Sequence, residues 1–189
     1  MFDLFIYSDL KLENVLLDAH LNPMVSDFGF ARFVNFQLSS TPTASKNQQQ
    51  QLVLSETWCG TASYHSPEIN RQQPYDPFKV DIWCLGVMLF TMVNREYPFN
   101  RKDPKMLDRQ MARDYKLNPT VDRKIRTELK DFIHILLNPD PVTRPDIESV
   151  CRHNWMPIIT RESELIYGSI DGGRQQSLNQ LNNKNQLDR

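Results

Sequence analysis

Tyr7–Asp18 reads YSDLKLENVLLD, and Ser26–Gly29 follows it as SDFG. This short span holds two carboxylates, an ammonium and an amide: Asp9, Lys11, Asn14 and Asp27. Asp9 and Asn14 stand at opposite ends of one tight loop. Val15–Leu17 and Met24–Ser26 are short extended candidates, and Asp18, Asn22 and Pro23 between them supply turn chemistry, which predicts a small hairpin. The hairpin returns the chain so that Asp27 faces Asn14. Phosphoryl transfer from ATP suits such a set. A carboxylate can orient a hydroxyl and accept its proton, and an ammonium can hold the moving phosphoryl group. An amide oxygen and a carboxylate are hard ligands of the kind magnesium takes.

Further matches follow in order: SPE at Ser66–Glu68, DIWCLG at Asp81–Gly86, and Arg144. Together with DLKLEN and DFG they resemble the protein kinases. Lys11 in DLK and Thr61 in CGTASYHSPE resemble the serine/threonine members. SDFGFAR (Ser26–Arg32), SETWCGTASYHSPE (Ser55–Glu68) and PYDPFKVDIWCLGVMLFTMVNREYPF (Pro74–Phe99) are similar to the testis-specific serine/threonine kinases, within the calcium/calmodulin-kinase-like group. The similarity runs from about Tyr7 to Met156 and includes RHNWM near its end.

The resemblance implies transfer of the γ-phosphate of ATP to Ser or Thr of a protein substrate, with ATP and Mg2+ as cofactors. It implies that Asp9 is the base, with Lys11 and Thr61 beside it, and that Asn14 and Asp27 hold the metal. Leu16 would lie beneath the adenine ring. Glu13 would reach ribose or a basic substrate residue, a solvated Glu being the equal alternative. Thr57 matches the activation-loop phosphosite. Glu68 would pair with Arg144 to anchor the end of an activation segment at 27–68, and Asp81 would brace the catalytic loop through its backbone N–H groups. The subfamily resemblance implies a role in sperm development.

The sequence departs from the family in two places. Where the family has His-Arg-Asp, this chain has Tyr7-Ser8-Asp9. Tyr7 exchanges one packing ring for another. Ser8 removes the arginine that binds the phosphorylated threonine in the family, which speaks against activation through Thr57, because a phosphate brings about −1.5 to −2 charges. In addition, none of the six glycines forms a phosphate-binding loop ahead of Asp9, and neither a strand lysine nor a glutamate helix precedes it. The expected fold is mainly α with a small β-hairpin: a protein-kinase-like C-terminal lobe, with the N-terminal ATP-covering lobe absent.

Composition narrows the alternatives. The formal net charge of −1 over 189 residues argues against broad affinity for nucleic acid or an anionic membrane. Cys59, Cys84 and Cys151 are few and far apart, which fits a reducing, cytoplasmic setting. Cys151 and His153 are read as unpaired helix-end residues, not as a zinc site. Met1–Ile6 lacks the features of a signal peptide. Val80–Val93 is too short to cross a bilayer and carries Asp81, so it reads as a helix buried on nearly every side. Gly86 in its middle implies close backbone contact, because Gly there costs about 1 kcal/mol relative to Ala.

Leu107 and Met111 mark a shorter helix. Leu129, Phe132, Ile133, Leu136 and Leu137 mark another, stopped by Asn138–Pro141. Asp146 opens a last short helix through Val150. The domain reading is a partial kinase domain at 1–160, with a glutamine-rich insertion at 37–51 expected to be a mobile loop, and a polar tail at 161–189 expected to be disordered. Two functional expectations follow: a serine/threonine kinase chain with little activity by itself, or a non-catalytic, pseudokinase-like scaffold that associates through the apolar face left by a missing lobe.

Overall fold

The computed structural model describes residues 5–33, 36–38, 50–52, 54–57 and 60–157. The tail at 161–189, Cys59 and residues 39–49 of the glutamine-rich stretch lie outside the described residues. The chain divides into two compact units, Met1–Val150 and Cys151–Arg189. In order, the elements are β1 (Phe5–Ile6), β2 (Val15–Leu17), β3 (Pro23–Val25), β4 (Arg32–Phe33), β5 (Phe36–Leu38) and β6 (Gln50–Leu52), then α1 (Pro67–Asn70), α2 (Pro77–Asn94), α3 (Met106–Ala112), α4 (Pro119–Asp122), α5 (Thr127–Leu136) and α6 (Ile147–Cys151). The described chain is mainly helical, and its strands form three antiparallel pairs.

The expected hairpin is β2–β3, in which Val15 pairs with Val25 and Leu17 with Pro23. The Asp18 side chain builds its turn: Oδ1 accepts the N–H groups of His20 at 2.8 Å and Asn22 at 2.9 Å. The second strand begins one residue earlier than expected, at Pro23. Proline has no N–H for a ladder but tolerates the first position of an edge strand. Two strand pairs were not expected. β1 pairs with β4, joining the residues before Tyr7 to those after the Asp-Phe-Gly segment. β5 pairs with β6, Phe36 opposite Leu52, so the ends of the stretch read as a mobile loop are extended and paired. Polar composition speaks to apolar burial but not to backbone pairing, and the strands are too short to show a period.

α2 is the axis of the fold. Asp76 caps it, its Oδ1 accepting the N–H of Phe78 at 2.9 Å, and Pro77 fills the first helical position, where a missing N–H costs nothing. Ile82, Trp83, Val87 and Phe90 are buried, whereas Met92 is 57% exposed, so the helix is not apolar-covered all round. By length and composition α2 could cross a membrane, but 56% of it is buried within the protein. It ends at Arg95, in the left-handed region at φ 62°. A Cβ on Gly86 would lie 2.9 Å from both Leu136 Cβ and Leu137 Cδ2, so the glycine lets α2 and α5 cross closely. Phe132, Ile133 and Leu136 of α5 are buried, as is Leu137 just beyond it.

The short helix expected at Leu107 and Met111 is α3, but its buried face differs from the apolar pattern. Met111 is exposed, and the buried side chain of this helix is Gln110, 3% exposed. Gln110 donates to His65 O at 2.9 Å and accepts from Asn70 Nδ2 at 3.0 Å. A polar residue is buried here because both ends of its amide are bonded. α6 opens as expected at Asp146, whose Oδ1 accepts the N–H of Ser149 at 2.8 Å. In the second unit, His153 Nδ1 accepts the N–H of Trp155 at 3.2 Å, so the expectation of an unpaired His153 is corrected.

Candidate active site

The loop at Tyr7–Asn14 is fixed from below by α2. The Asp81 carboxylate accepts the backbone N–H of Tyr7 at 3.0 Å on Oδ2 and that of Ser8 at 3.2 Å on Oδ1. Burial pushes the Asp81 carboxyl up to about 6, opposed by those same two bonds. Ser8 lies in the left-handed region at φ 66°, a conformation that costs a non-glycine residue and turns the chain sharply into Asp9. Its Oγ is buried and has no hydrogen-bond partner among the described residues.

Asp9 is 5% exposed, and three donors converge on it. Lys11 Nζ lies 2.6 Å from Oδ2, while the N–H of Thr61 at 3.0 Å and its hydroxyl at 3.1 Å reach Oδ1. Lys11 also donates to Thr61 Oγ1 at 3.0 Å, which closes a three-residue ring across a long stretch of sequence. The bond to Asp9 raises the pKa of Lys11. A Cβ on Gly60, at φ 97°, would meet Ser8 O at 3.1 Å, so glycine lets the segment carrying Thr61 approach the loop.

Asn14, 6% exposed, donates from Nδ2 to Asp9 O at 3.1 Å, which ties the two ends of the loop together. The hairpin then brings back the chain: Ser26 donates to Asn14 O from its N–H at 2.8 Å and from its hydroxyl at 3.0 Å. Asp27 is the next residue, at φ 64°. It is exposed, and its Oδ1 accepts the N–H of Gly29 at 3.2 Å. Tyr7 spans this junction. Its hydroxyl donates to Asp27 O at 2.7 Å and contacts Ser26 O, and its ring meets Phe28 edge-on at 5.4 Å. Tyr7 is therefore more than a packing ring: its phenol holds the Asp27 backbone, a role the ring-for-ring reading missed. Burial, and then the Asp27 charge, raise the pKa of this phenol.

Glu13 is exposed but held by two phenols, Tyr64 at 3.2 Å and Tyr97 at 3.4 Å, whose rings meet edge-on at 5.7 Å. It is thus not a freely solvated side chain. Tyr64 and Tyr97 lie in stretches that carry the sequence resemblance, but only the tertiary contact singles them out. Leu16 is 55% exposed on β2, and Leu17, Met24, Val25, Phe28 and Phe30 near it are exposed as well.

Away from the loop, Arg144 and Glu68 form a buried bidentate pair, Nη1 to Oε1 at 2.7 Å and Nη2 to Oε2 at 3.0 Å. Arg144 also donates to Asn138 O at 2.8 Å and Lys79 O at 2.7 Å, and its guanidinium lies 5.1 Å from the centre of the Trp83 ring. Thr57 is exposed. Its carbonyl accepts from Tyr75 Oη at 2.6 Å and its N–H donates to Ser55 Oγ at 3.3 Å.

Asn14 and Asp27 are suited to magnesium by chemistry and placement. Both offer hard oxygens, and the two hydrogen bonds from Ser26 to Asn14 O set Asp27 one residue beyond the backbone partner of Asn14. Among the described residues there is no group of three or more His, Cys, Asp or Glu that could hold a metal. Two protein oxygens suit an ion that keeps waters and phosphate oxygens as its other ligands.

Residues 3–156 match the protein kinase domain family. The chain is similar to mouse testis-specific serine/threonine-protein kinase 2, with 34% identity over 151 residues, covering 80% of this chain and 39% of that protein. It is also similar to mouse testis-specific serine/threonine-protein kinase 3, with 36% identity over 151 residues, covering 79% of this chain and 50% of that protein. Rice (Oryza sativa subsp. japonica) CBL-interacting protein kinase 11 shares 37% identity over 152 residues, covering 79% of this chain and 27% of that protein. The chain thus spans half the length of these relatives or less.

Proposed function

Because the chain belongs to the protein kinase family, we propose that its described residues form the substrate-side, C-terminal lobe of a serine/threonine kinase, with Asp9 as the base. The observation that carries this reading is the convergence of Lys11 and Thr61 on the Asp9 carboxylate. A carboxylate has about four acceptor sites. Thr61 occupies both on Oδ1, and Lys11 occupies one on Oδ2. Among the described residues no donor takes the remaining site on Oδ2, which can orient the hydroxyl of a substrate Ser or Thr.

In the proposed step that hydroxyl oxygen forms a bond to the γ-phosphorus of ATP. The bond from that phosphorus to the ADP oxygen breaks, and the hydroxyl proton passes to Asp9. Lys11 stands beside both groups and balances the negative charge on the transferring phosphoryl oxygens. Asn14 and Asp27 would hold Mg2+, which when bound neutralises phosphate charge. Tyr7 and Asp81 position the loop, and Leu16 would offer its exposed face to the adenine. Glu13, aimed by Tyr64 and Tyr97, would take a basic substrate residue or the ribose.

Positioning supplies nearly all of this catalysis. The test is magnesium-dependent nucleotide binding by the purified chain, compared with Asp27→Ala. Binding that needs magnesium and is lost in the variant supports the assignment; equal binding by both proteins sinks it.

A second reading, a non-catalytic scaffold, is favoured by one observation. A groove of about 520 Å³ runs beside α2, with Leu10, Phe78, Ile82, Leu85 and Ile147 in its lining. Such an apolar groove is a surface suited to association with another polypeptide segment. A stable complex through that surface, with no magnesium-dependent nucleotide binding, would favour the scaffold. In either reading the expected setting is cytoplasmic.

A further inference from the structure

We propose that the cavity between α5 and the segment after α3 receives an acidic polypeptide segment, with one apolar side chain seated inside and carboxylates on the cations around the mouth. The cavity shares no lining residue with the Asp9 loop, and the inference does not rest on the kinase reading. It holds about 350 Å³ and is lined by Tyr115, Leu117, Lys130, Asp131, Ile133 and His134. That volume falls in the range of preformed ligand pockets, about 300–1,000 Å³. Its walls are held in place. The Tyr115 ring meets Phe90 edge-on at 5.4 Å and Phe99 edge-on at 6.0 Å. Asn118, just beyond Leu117, donates its N–H to Oδ1 of the buried Asn94 at 2.7 Å.

The hydrogen bonds of His134 show what this cavity lacks. Arg113 Nη1 contacts His134 Nε2, and a guanidinium can only donate, so Nε2 is the acceptor. Burial, and then the Arg113 charge, hold the pKa of His134 below its ordinary value against the pull of Asp131, so the ring is neutral and carries one proton. That proton sits on Nδ1, 3.3 Å from Tyr115 Oη, and the phenol oxygen accepts it. The phenol's own proton is left over: among the described residues no acceptor takes it. Burial raises the pKa of Tyr115, so the phenol keeps that proton. Lys130 gives one N–H to Asp122 at 2.8 Å and has two more. Two donors beside the apolar wall of Leu117 and Ile133 suit a carboxylate or a peptide carbonyl.

The surrounding charge selects an acidic partner. Residues 101–126 carry nine Lys and Arg against four Asp and no Glu, whereas the rest of the chain carries thirteen Lys and Arg against nineteen Asp and Glu. The net charge of −1 therefore conceals a basic stretch. Three of its four Asp are already paired, Asp103 and Asp114 with Arg109 and Asp122 with Lys130. Lys116, Arg123 and Lys124 are exposed, and among the described residues they pair with no carboxylate. Lys116 stands between two lining residues, and the Asp122–Lys130 pair sets the end of α4, which Arg123 and Lys124 follow, beside the cavity. Asp131 is the one carboxylate on the lining; it is exposed and outnumbered by these cations. Such a field attracts anionic segments and speeds their association. The apolar wall favours a polypeptide over a nucleic acid, whose phosphates would leave it uncovered.

The test titrates the full chain into a fluorescein-labelled peptide, Glu-Glu-Asp-Phe-Glu-Glu-Asp, and follows anisotropy at low and at raised salt. Wild type should bind saturably, and more weakly as salt screens the cations. Replacing the peptide's Phe by Ala should weaken binding by about tenfold or more, because the buried apolar group is lost. Tyr115→Phe keeps the ring and removes only the hydroxyl, and should weaken binding by about 2–10-fold. The double variant Lys116→Glu, Lys124→Glu changes only exposed side chains, keeps its circular dichroism spectrum, and should bind about tenfold more weakly. The proposal is overturned by no saturable binding, by equal binding of a peptide with Gln and Asn in place of Glu and Asp, by unchanged affinity in both variants, or by tighter binding of a single-stranded oligothymidylate. None of these readouts involves ATP or magnesium, so failure here is distinguishable from failure of the kinase reading.

Discussion

Replacing Glu68 by Gln keeps the size of the side chain and removes its charge from beneath Arg144. The Arg144 side chain is 0% exposed and that of Glu68 is 6% exposed. Four of the five guanidinium N–H groups are placed by the structure, two on Glu68 and one each on Asn138 O and Lys79 O. Water cannot replace the lost partner without opening the packing against Trp83. In Glu68→Gln one amide oxygen still accepts, but the amide NH2 faces a guanidinium N–H, and a buried cation is left uncompensated. Removing one member of a buried pair costs about 3–5 kcal/mol, a large part of the roughly 5–15 kcal/mol that holds a domain folded. The midpoint of thermal unfolding should fall on the order of 10 °C.

The assay is urea unfolding followed by far-UV circular dichroism, on wild type, Glu68→Gln, Arg144→Met and the double variant. The double variant removes both charges and fills the space with an apolar chain. It should therefore be destabilised by less than the sum of the singles, with a coupling energy of about 2 kcal/mol or more. A cost below about 1 kcal/mol for Glu68→Gln at unchanged m-value, or single effects that simply add, would refute the argument that the pair is a desolvated unit.

Gly86→Ala should destabilise the chain. The helix propensity gained is about 1 kcal/mol, but a Cβ 2.9 Å from Leu136 and Leu137 overpacks the α2–α5 crossing at about 1–3 kcal/mol, and urea midpoints decide the sign. Asp81 has a folded pKa of about 6, raised by burial from 3.8, so the folded state binds the extra proton. Its contribution is fully present below 3.8 and lost as pH rises through 6. Asp81→Asn should flatten that part of the pH–stability curve, measured between pH 3.5 and 6.5. His134 behaves oppositely. Burial first, and then Arg113, lower its pKa from 6.5, against an opposing pull from Asp131, and its ring nitrogens face Arg113 and Tyr115 Oη. The stability it contributes holds above 6.5 and is lost as pH falls through its lowered value, so His134→Gln should reduce the acid-side loss in the same titration.

Much of the site could be read from the residues because its chemistry is local in sequence. Asp9, Lys11 and Asn14 sit in one loop, and the Asp18–Asn22 turn returns the chain to Asp27 over a few residues, so short-range turn propensities suffice to place them. Gly86 and Asp146 were likewise legible, one from its cost within a helix and the other from capping chemistry. The central helix declared itself through apolar density, although its true start at Asp76–Pro77 rests on a cap outside the apolar run.

What the residues could not show are the contacts made across long stretches of chain, where no period or propensity acts. Thr61 reaches Asp9, Glu68 reaches Arg144, and Asp81 reaches the N–H groups of Tyr7 and Ser8. The family resemblance could imply these pairings, but the amino-acid pattern alone could not. Gln110 looks like a surface residue until its partners His65 and Asn70 are seen, and the Arg32–Ser55–Thr57 contact links residues with no common motif. The physical reason is the same in each case. Local sequence sets backbone preference and apolar burial, whereas the cost of burying a charge or an amide is settled only by the partner that packing brings to it.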